Sequence, residues 1–220
     1  MPNPHPYRQA VRGLPAAVGL AAANVLIGRA LARNARVQER ETDVIRALQA
    51  RGSPGRDRLA RLVSTAADVP ASIAHGAVAV AVLWRWTRDP RLAVAPAVAL
   101  VVETAVYLVA GALVNRDRPG VPRLDRDQPT SSFPSGHQGA TVALMVVHLA
   151  VARRVANPWL RTAITAACVA YPSTLAWARV HTGLHYPSDV VAGTLNGVAA
   201  GLIALDRVGD GSLLGPPPPT

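Results

Sequence analysis

Apolar and polar positions alternate along this chain in long blocks. Apolar stretches run from Leu14 to Leu31, Val69 to Trp86, Leu92 to Val114, Gly136 to Val151, Leu160 to Ala178 and Val190 to Leu205. Several approach or exceed the roughly 18 residues that make a membrane-spanning helix plausible. The first is the weakest, because Asn24 and Arg29 interrupt it. Alanine, valine and glycine dominate these stretches, and small residues let membrane helices pack closely. The pattern predicts an all-α integral membrane bundle of about six transmembrane helices.

Residues 34–68 read differently. Val37, Val44, Ile45 and Leu48 recur at helical spacing among Arg and Glu, and Gly52-Ser53-Pro54-Gly55 breaks the pattern before Leu59, Leu62 and Val63 resume it. This predicts an amphipathic interfacial segment between the first two spans. The chain then divides into a tail and first anchor (1–33), the interfacial segment (34–68), a catalytic membrane domain (69–207) and a Pro-rich tail (208–220) expected to be disordered.

Composition sharpens the membrane reading. The chain has 220 residues, 50% hydrophobic and only 16% charged, yet its formal net charge is +10 and all 23 basic residues are arginine. Such a balance fits a nucleic-acid binder or a membrane protein with arginine-rich loops. Position decides between them: Arg85, Arg88 and Arg91 sit in one inter-span loop, Arg153, Arg154 and Arg161 in another, and nine more between Arg29 and Arg61. Aromatics are only 4%, and Trp84, Trp86, Trp159 and Trp177 lie at segment ends. That is a membrane aromatic belt, not a stacking surface for bases, so nucleic acid is excluded as a partner. Cys168 is the lone cysteine and rules out an intrachain disulfide framework.

Topology is supported by loop parity, with the termini cytoplasmic and the ends of the third and fifth apolar stretches extracytoplasmic, and is not settled by arginine counting. Six spans put both termini and the loops at 85–91 and 153–161 on one side, while the arginines of 29–61 fall on the other, against a simple positive-inside count. The alanine- and arginine-rich, lysine-free composition suggests a GC-rich bacterial genome and hence a plasma membrane. Oligomeric state is not set by the sequence.

Three polar clusters interrupt the apolar chain: Asn115-Arg116-Asp117-Arg118-Pro119, Pro134-Ser135-Gly136-His137, and the run from Arg179 to Asp189. Alternating spans bring all three to the same membrane face. Two arginines there can hold a phosphate through charge-assisted, bidentate hydrogen bonds. Ser135 and Gly136 open a helix whose hydroxyl and N–H groups can cradle anionic oxygen. His185 and Asp189 are four apart; if helical, they share a face, and the carboxylate can hold one imidazole nitrogen while the other attacks. His137 supplies a second imidazole for proton transfer. The sequence offers no carboxylate cluster for Mg²⁺ and no Cys/His set for zinc, so neither metal nor cofactor is expected.

Arg118-Pro119, then Pro134-Ser135-Gly136-His137, then Arg179, His185 and Asp189 resemble the three signature motifs of the type 2 phosphatidic acid phosphatase (PAP2) superfamily, over about residues 60–207. The resemblance implies that His185 attacks phosphorus to form a phosphohistidine and that Asp189 orients it. It further implies that Arg118, Arg179 and the Gly136 N–H stabilise the equatorial oxygens and that His137 protonates the leaving oxygen. Two positions depart from the pattern. Gly111 stands where the family usually has lysine, with Arg116 expected to supply the missing charge at the phosphate, or else to pair with Asp117. Ala178 replaces the serine before Arg179.

The expectation is a metal-independent phosphatase acting on a lipid phosphate or diphosphate (phosphatidate, phosphatidylglycerophosphate or polyprenyl diphosphate), with membrane lipids as its surroundings. A lipid phosphotransferase, a non-catalytic phosphate-binding membrane protein and a soluble superfamily member are the alternatives. Glu103, deep in a span, is expected to bond Tyr107 or His75, or to serve substrate or proton access. His181 either lines the site or is an ordinary loop histidine, and His75 and His148 are read as packed residues.

Overall fold

A computed structural model of the chain describes residues 6–126, 128 and 130–208, with side chains from Leu14 onward. The expected Pro-rich tail, apart from Val208, lies outside the described residues. Eight helices follow in order: α1 (Pro6–Arg33), α2 (Ala35–Ala50), α3 (Pro54–Ala66), α4 (Val69–Thr87), α5 (Pro90–Val114), α6 (Gly136–Ala152), α7 (Pro158–His181) and α8 (Pro187–Val208). Among the described residues there is no strand.

Local signals explain the boundaries. Asn34, Ser53, Asp89 and Asn157 cap α2, α3, α5 and α7 by accepting from backbone N–H groups two or three residues on. Proline stands at the first position of α3, α5 and α7 and at the second of α4, where its missing N–H costs nothing. The break foreseen at 52–55 separates α2 from α3.

By length and apolarity, α1 from Leu14, α4, α5 and α8 qualify as membrane spans among the described residues. Helix α6 is apolar but has 17 residues. Helix α7 has 24 residues but carries Arg161, Ser173, Thr174 and Arg179 along its length. The fold is therefore the expected all-α membrane bundle, with four clear spans where six were expected. Large apolar side chains such as Leu26, Val101, Leu108 and Leu195 face outward, and Trp84, Trp86 and Trp159 are exposed at helix ends.

The centre of the bundle is α5, α6 and α8, joined through Leu92, Ala95, Ala99, Ala143, Val147, Ala200 and Ala204. Glycine sets their spacing. A Cβ at Gly193 would meet the Ser135 carbonyl, and one at Gly197 the Gly139 carbonyl, so α8 lies directly on the α6 backbone. Asn24 of α1 and Asn196 of α8 exchange side-chain amide hydrogen bonds of 2.7 and 3.2 Å.

The 34–68 segment does more than lie along an interface. Ile45 of α2 is fully buried against Val180, Tyr186 and Val190, and Ala60 and Ser64 of α3 are buried. Val44, Leu59 and Leu62 remain exposed on the outer side. Helices α2 and α3 thus roof the end of the bundle where the polar clusters meet.

Candidate active site

The site begins where α7 ends. Arg179 and His181 belong to the helix rather than to a loop, and Gly183, at φ +73°, turns the chain so that Leu184, His185 and Tyr186 cross to the start of α8. Pro187 opens α8 and Asp189 lies in its first turn. His185 therefore precedes the helix, and the single helical face expected for His185 and Asp189 does not form.

Asp189, fully buried, is saturated by other donors. Its Oδ2 accepts from Ser132 Oγ at 2.6 Å and from the Tyr186 N–H at 2.9 Å, and its Oδ1 from Arg116 Nη1 at 2.6 Å. His185 Nδ1 stands 3.9 Å from Asp189 Oδ2, outside hydrogen-bonding range, but 2.7 Å from the Ser132 carbonyl oxygen. A carbonyl can only accept, so Nδ1 carries the proton and Nε2 holds a lone pair. Arg179 Nη2 lies 3.1 Å from that Nε2 and donates to it. Burial pushes His185 well below its ordinary pKa, reinforced by Arg179, Arg118 and His137 and opposed by the Ser132 bond. The imidazole is neutral at physiological pH, with its basic nitrogen turned toward the cations.

Two guanidinium groups supply the positive field. Arg179, fully buried, donates from Nη1 to Ser64 Oγ at 3.1 Å, and its Nε has no partner. Arg118, half-buried, is held by the Leu184 carbonyl at 2.6 Å and by weaker bonds to Gln128 O and Thr130 Oγ1 at 3.3 Å. Burial lowers the pKa of Arg118, but an arginine starts so high that it stays cationic. The start of α6 faces the same point. Ser135 is its N-cap, yet its buried hydroxyl makes no bond. Its own N–H is taken by the Asp189 carbonyl at 3.0 Å. The next N–H groups, from Gly136 onward, have no carbonyl within the helix and favour an anion. His137 Nε2 lies 3.1 Å from Asp68 Oδ1.

Arg116 departs from expectation. It is buried beneath the site and contacts neither Asp117 nor the open face. Besides Asp189, it donates to Ser188 Oγ at 2.8 Å and Glu41 Oε2 at 2.9 Å, and its guanidinium lies 4.0 Å above the Tyr186 ring. The reason is electrostatic: two carboxylates, Asp189 and Glu41, claim the cation before any ligand can. Glu41 also accepts from the Ser188 N–H at 2.7 Å, tying α2 to the start of α8. The usual lysine position, Gly111, leaves room for a Cβ near the Phe133 carbonyl and Ser131.

The accessory residues separate. His181 Nε2 donates to Asp57 Oδ1 at 2.7 Å and the ring stacks on Trp177, clamping α3 to α7 rather than lining the reacting centre. Glu103 bonds neither Tyr107 nor His75; its carboxylate rests on Gly139, and Oε1 meets no donor. His75 packs instead against His148, ring centroids 5.1 Å apart.

Five residues at this site escaped the sequence reading: Glu41, Ser64, Asp68, Tyr107 as a wall against Gly136, and Ser132. Of these only Ser132, two residues ahead of the Pro134 motif, lay close enough to a recognised cluster to be found. Among the described residues no three His, Cys, Asp or Glu side chains gather as a metal site.

The family model of the PAP2 superfamily matches residues 92–210. A relative in Escherichia coli (strain K12), "Putative undecaprenyl-diphosphatase YbjG", is 30% identical over 129 residues, which cover 56% of this chain and 61% of that protein. Among solved structures, the transmembrane PAP2 type phosphatidylglycerolphosphate phosphatase of Bacillus subtilis superposes with a TM-score of 0.73 at 16% identity, over 86% of this chain and 93% of that one. LpxE of Aquifex aeolicus superposes with a TM-score of 0.58 at 18% identity, over 74% of this chain and 93% of that one. At such identities the two superpositions speak for the fold, and the family match, extending over more than half of the sequence, makes this chain a member of the PAP2 superfamily.

Proposed function

We propose that the chain is a membrane phosphatase that hydrolyses a lipid phosphate or diphosphate through a phosphohistidine at His185 Nε2. The observation that carries this reading is the tautomer: Nδ1–H is fixed on the Ser132 carbonyl, so Nε2 keeps the lone pair that attack on phosphorus needs, beside the Arg179 guanidinium that would hold a phosphoryl oxygen. The names of the relatives, an undecaprenyl-diphosphatase and a phosphatidylglycerolphosphate phosphatase, support a lipid substrate.

In the first displacement Nε2 bonds to phosphorus as the P–O bond to the lipid breaks, and the lipid oxygen leaves with the electron pair and a proton from His137. In the second, water attacks phosphorus, the N–P bond returns its pair to Nε2, and the water's proton passes to His137. Arg118, Arg179, the Ser135 hydroxyl and the Gly136 N–H hold the equatorial oxygens, where the charge of a phosphoryl transition state spreads. Asp189 acts at one remove: by accepting from Ser132 Oγ it holds the residue whose carbonyl fixes His185. This donor set supplies positive charge without a metal. With six spans and cytoplasmic termini, the site would face the extracytoplasmic side of a bacterial plasma membrane.

The test is phosphate release by the detergent-solubilised full chain from dioleoyl phosphatidate, phosphatidylglycerophosphate and a polyprenyl diphosphate, with and without EDTA. Activity that survives EDTA and disappears in His185→Ala is expected. Loss in EDTA overturns the metal-free mechanism, and activity retained in His185→Ala overturns the phosphohistidine. An added alcohol that captures the phosphoryl group in place of water would identify a phosphotransferase.

A further inference from the structure

Asp68 occupies the N-cap of α4 but does not cap it. An aspartate there ordinarily accepts from the N–H two or three residues on. Pro70 has no N–H to offer, and no side-chain bond to the helix forms. The carboxylate turns away from its own helix and meets His137 Nε2 at 3.1 Å, 69 residues further along the chain. A side chain that forgoes the local partner its position favours marks a place where another requirement has taken precedence.

The surroundings of His137 say what that requirement is. The imidazole faces Arg179, Arg118 and His185, all cationic or protonatable, and Asp68 is the carboxylate in contact with it. An imidazolium amid two guanidinium groups needs a counter-charge before it can hold a proton for a leaving group. The side chain of His137 is 12% exposed and that of Asp68 38%, so the pair lies at the rim of the site, where a lipid headgroup would enter.

We propose that Asp68 is the positioning residue of the general acid: it accepts the Nε2–H of His137, holds the ring and stabilises its protonated form, leaving Nδ1 to exchange the proton with the leaving oxygen and then with water. The proposal rests on the phosphatase reading. The proton count closes: the Nδ1 proton lost when the lipid P–O bond breaks is regained from the water that cleaves the N–P bond, and the Asp68–Nε2 hydrogen bond persists throughout.

Asp68→Asn keeps the size of the side chain and removes its charge. Phosphatidate releases diacylglycerol, whose alkoxide oxygen needs the proton, so its kcat should fall by about 10- to 100-fold, a part of the roughly 100- to 10,000-fold that a general acid contributes. Farnesyl diphosphate, which releases farnesyl phosphate as a stabilised anion, should lose far less. The basic limb of the phosphatidate kcat profile should move to lower pH, because without the carboxylate the imidazolium surrenders its proton sooner. Asp68→Glu should restore most of the rate. In a His137→Gln background, Asp68→Asn should add little further loss.

Equal losses on both substrates with an unmoved pH profile, or full additivity with His137→Gln, would show a merely structural contact and overturn the proposal. Titration of ¹⁵N-histidine-labelled protein gives a readout apart from turnover: Asp68→Asn should lower the midpoint of the His137 ring, and no change counts against the pair. The two readings fail separately. Wild-type protein inactive on both lipids sinks the phosphatase reading and this proposal with it, and activity surviving in His185→Ala sinks the phosphohistidine step on which the proton count rests. An inactive His185→Ala beside an Asp68→Asn protein that behaves as wild type sinks only the role of Asp68.

Discussion

Arg116 and Asp189 are joined by a 2.6 Å ion pair, and both side chains are shut off from solvent. The pair joins the segment after α5 to the first turn of α8, across 73 residues of sequence. Asp189 in turn holds Ser132, whose carbonyl fixes His185. A chain of charge-assisted bonds thus runs from Glu41 on the roof, through Arg116 and Asp189, to the nitrogen opposite the one that would attack.

Arg116→Ala should therefore act on the framework and not on ligand affinity. Removing one partner of a buried ion pair leaves an uncompensated charge and costs about 3–5 kcal/mol. Thermal unfolding in detergent should show a loss of that order, and kcat should fall as His185 loses its orientation. KM in the folded fraction should stay within a few-fold. A large rise in KM with kcat preserved would instead put Arg116 on the phosphate.

Glu103 and Gly139 should behave as a coupled pair. A Cβ at Gly139 would collide with the Glu103 carboxylate. Overpacking of this kind costs typically about 1–3 kcal/mol. Gly139→Ala alone should destabilise the protein, and Glu103→Ala should open the space it needs. The double variant should be more stable than the sum of the single changes predicts, with a coupling of roughly 0.5–3 kcal/mol. Strict additivity would show that the two helices move apart to absorb the methyl group.

The depressed pKa of His185 has a defined sign in stability. Above about pH 6.5 the imidazole is neutral in both the folded and the unfolded chain and contributes no pH dependence. Below that pH the unfolded chain binds a proton that the folded chain refuses, so folded stability falls with acidification, by at most about 1.4 kcal/mol per pH unit. His185→Gln removes this term. Its melting temperature should drop less than that of the wild type between pH 7.5 and pH 5. Parallel losses would mean that His185 takes up its proton in the folded state.

The elements of the site differ in how readily the sequence betrays them. Arg118, Ser135, His137, Arg179, His185 and Asp189 stand out because each interrupts an apolar run, and a polar residue at the edge of a membrane span needs a reason to be there. Their convergence follows from counting spans. Their partners do not follow. Glu41 and Asp68 sit among charges that read equally well as a solvated helix face, and their contacts with Arg116 and His137 depend on α2 and α3 folding back over the bundle. The helical extension of α7 through His181 was hidden because its last turn is polar and buried at once, a combination that hydropathy reads as loop. The partners of Arg116 were hidden for the same reason: a cation near a phosphate motif has a phosphate or Asp117 as its evident partner until two distant carboxylates are brought beside it.

The glycines of α8 separate stability from catalysis by position. Gly193 lies against the Ser135 carbonyl at the mouth of the site, whereas Gly201 lies two turns further along against Val146 and the Ala143 carbonyl. Alanine at either place forces α8 away from α6, at a cost of about 1–3 kcal/mol each by the usual penalty for overpacking. Only the first displacement shifts Ser135 and, with it, the start of the helix that presents the Gly136 N–H and His137. Gly193→Ala should therefore lower kcat well beyond its effect on the folded fraction, and Gly201→Ala should lower melting temperature while leaving kcat of the folded protein near wild type. Equal kcat losses in the two variants would show that α6 shifts as a rigid rod, so that strain at either end reaches the site.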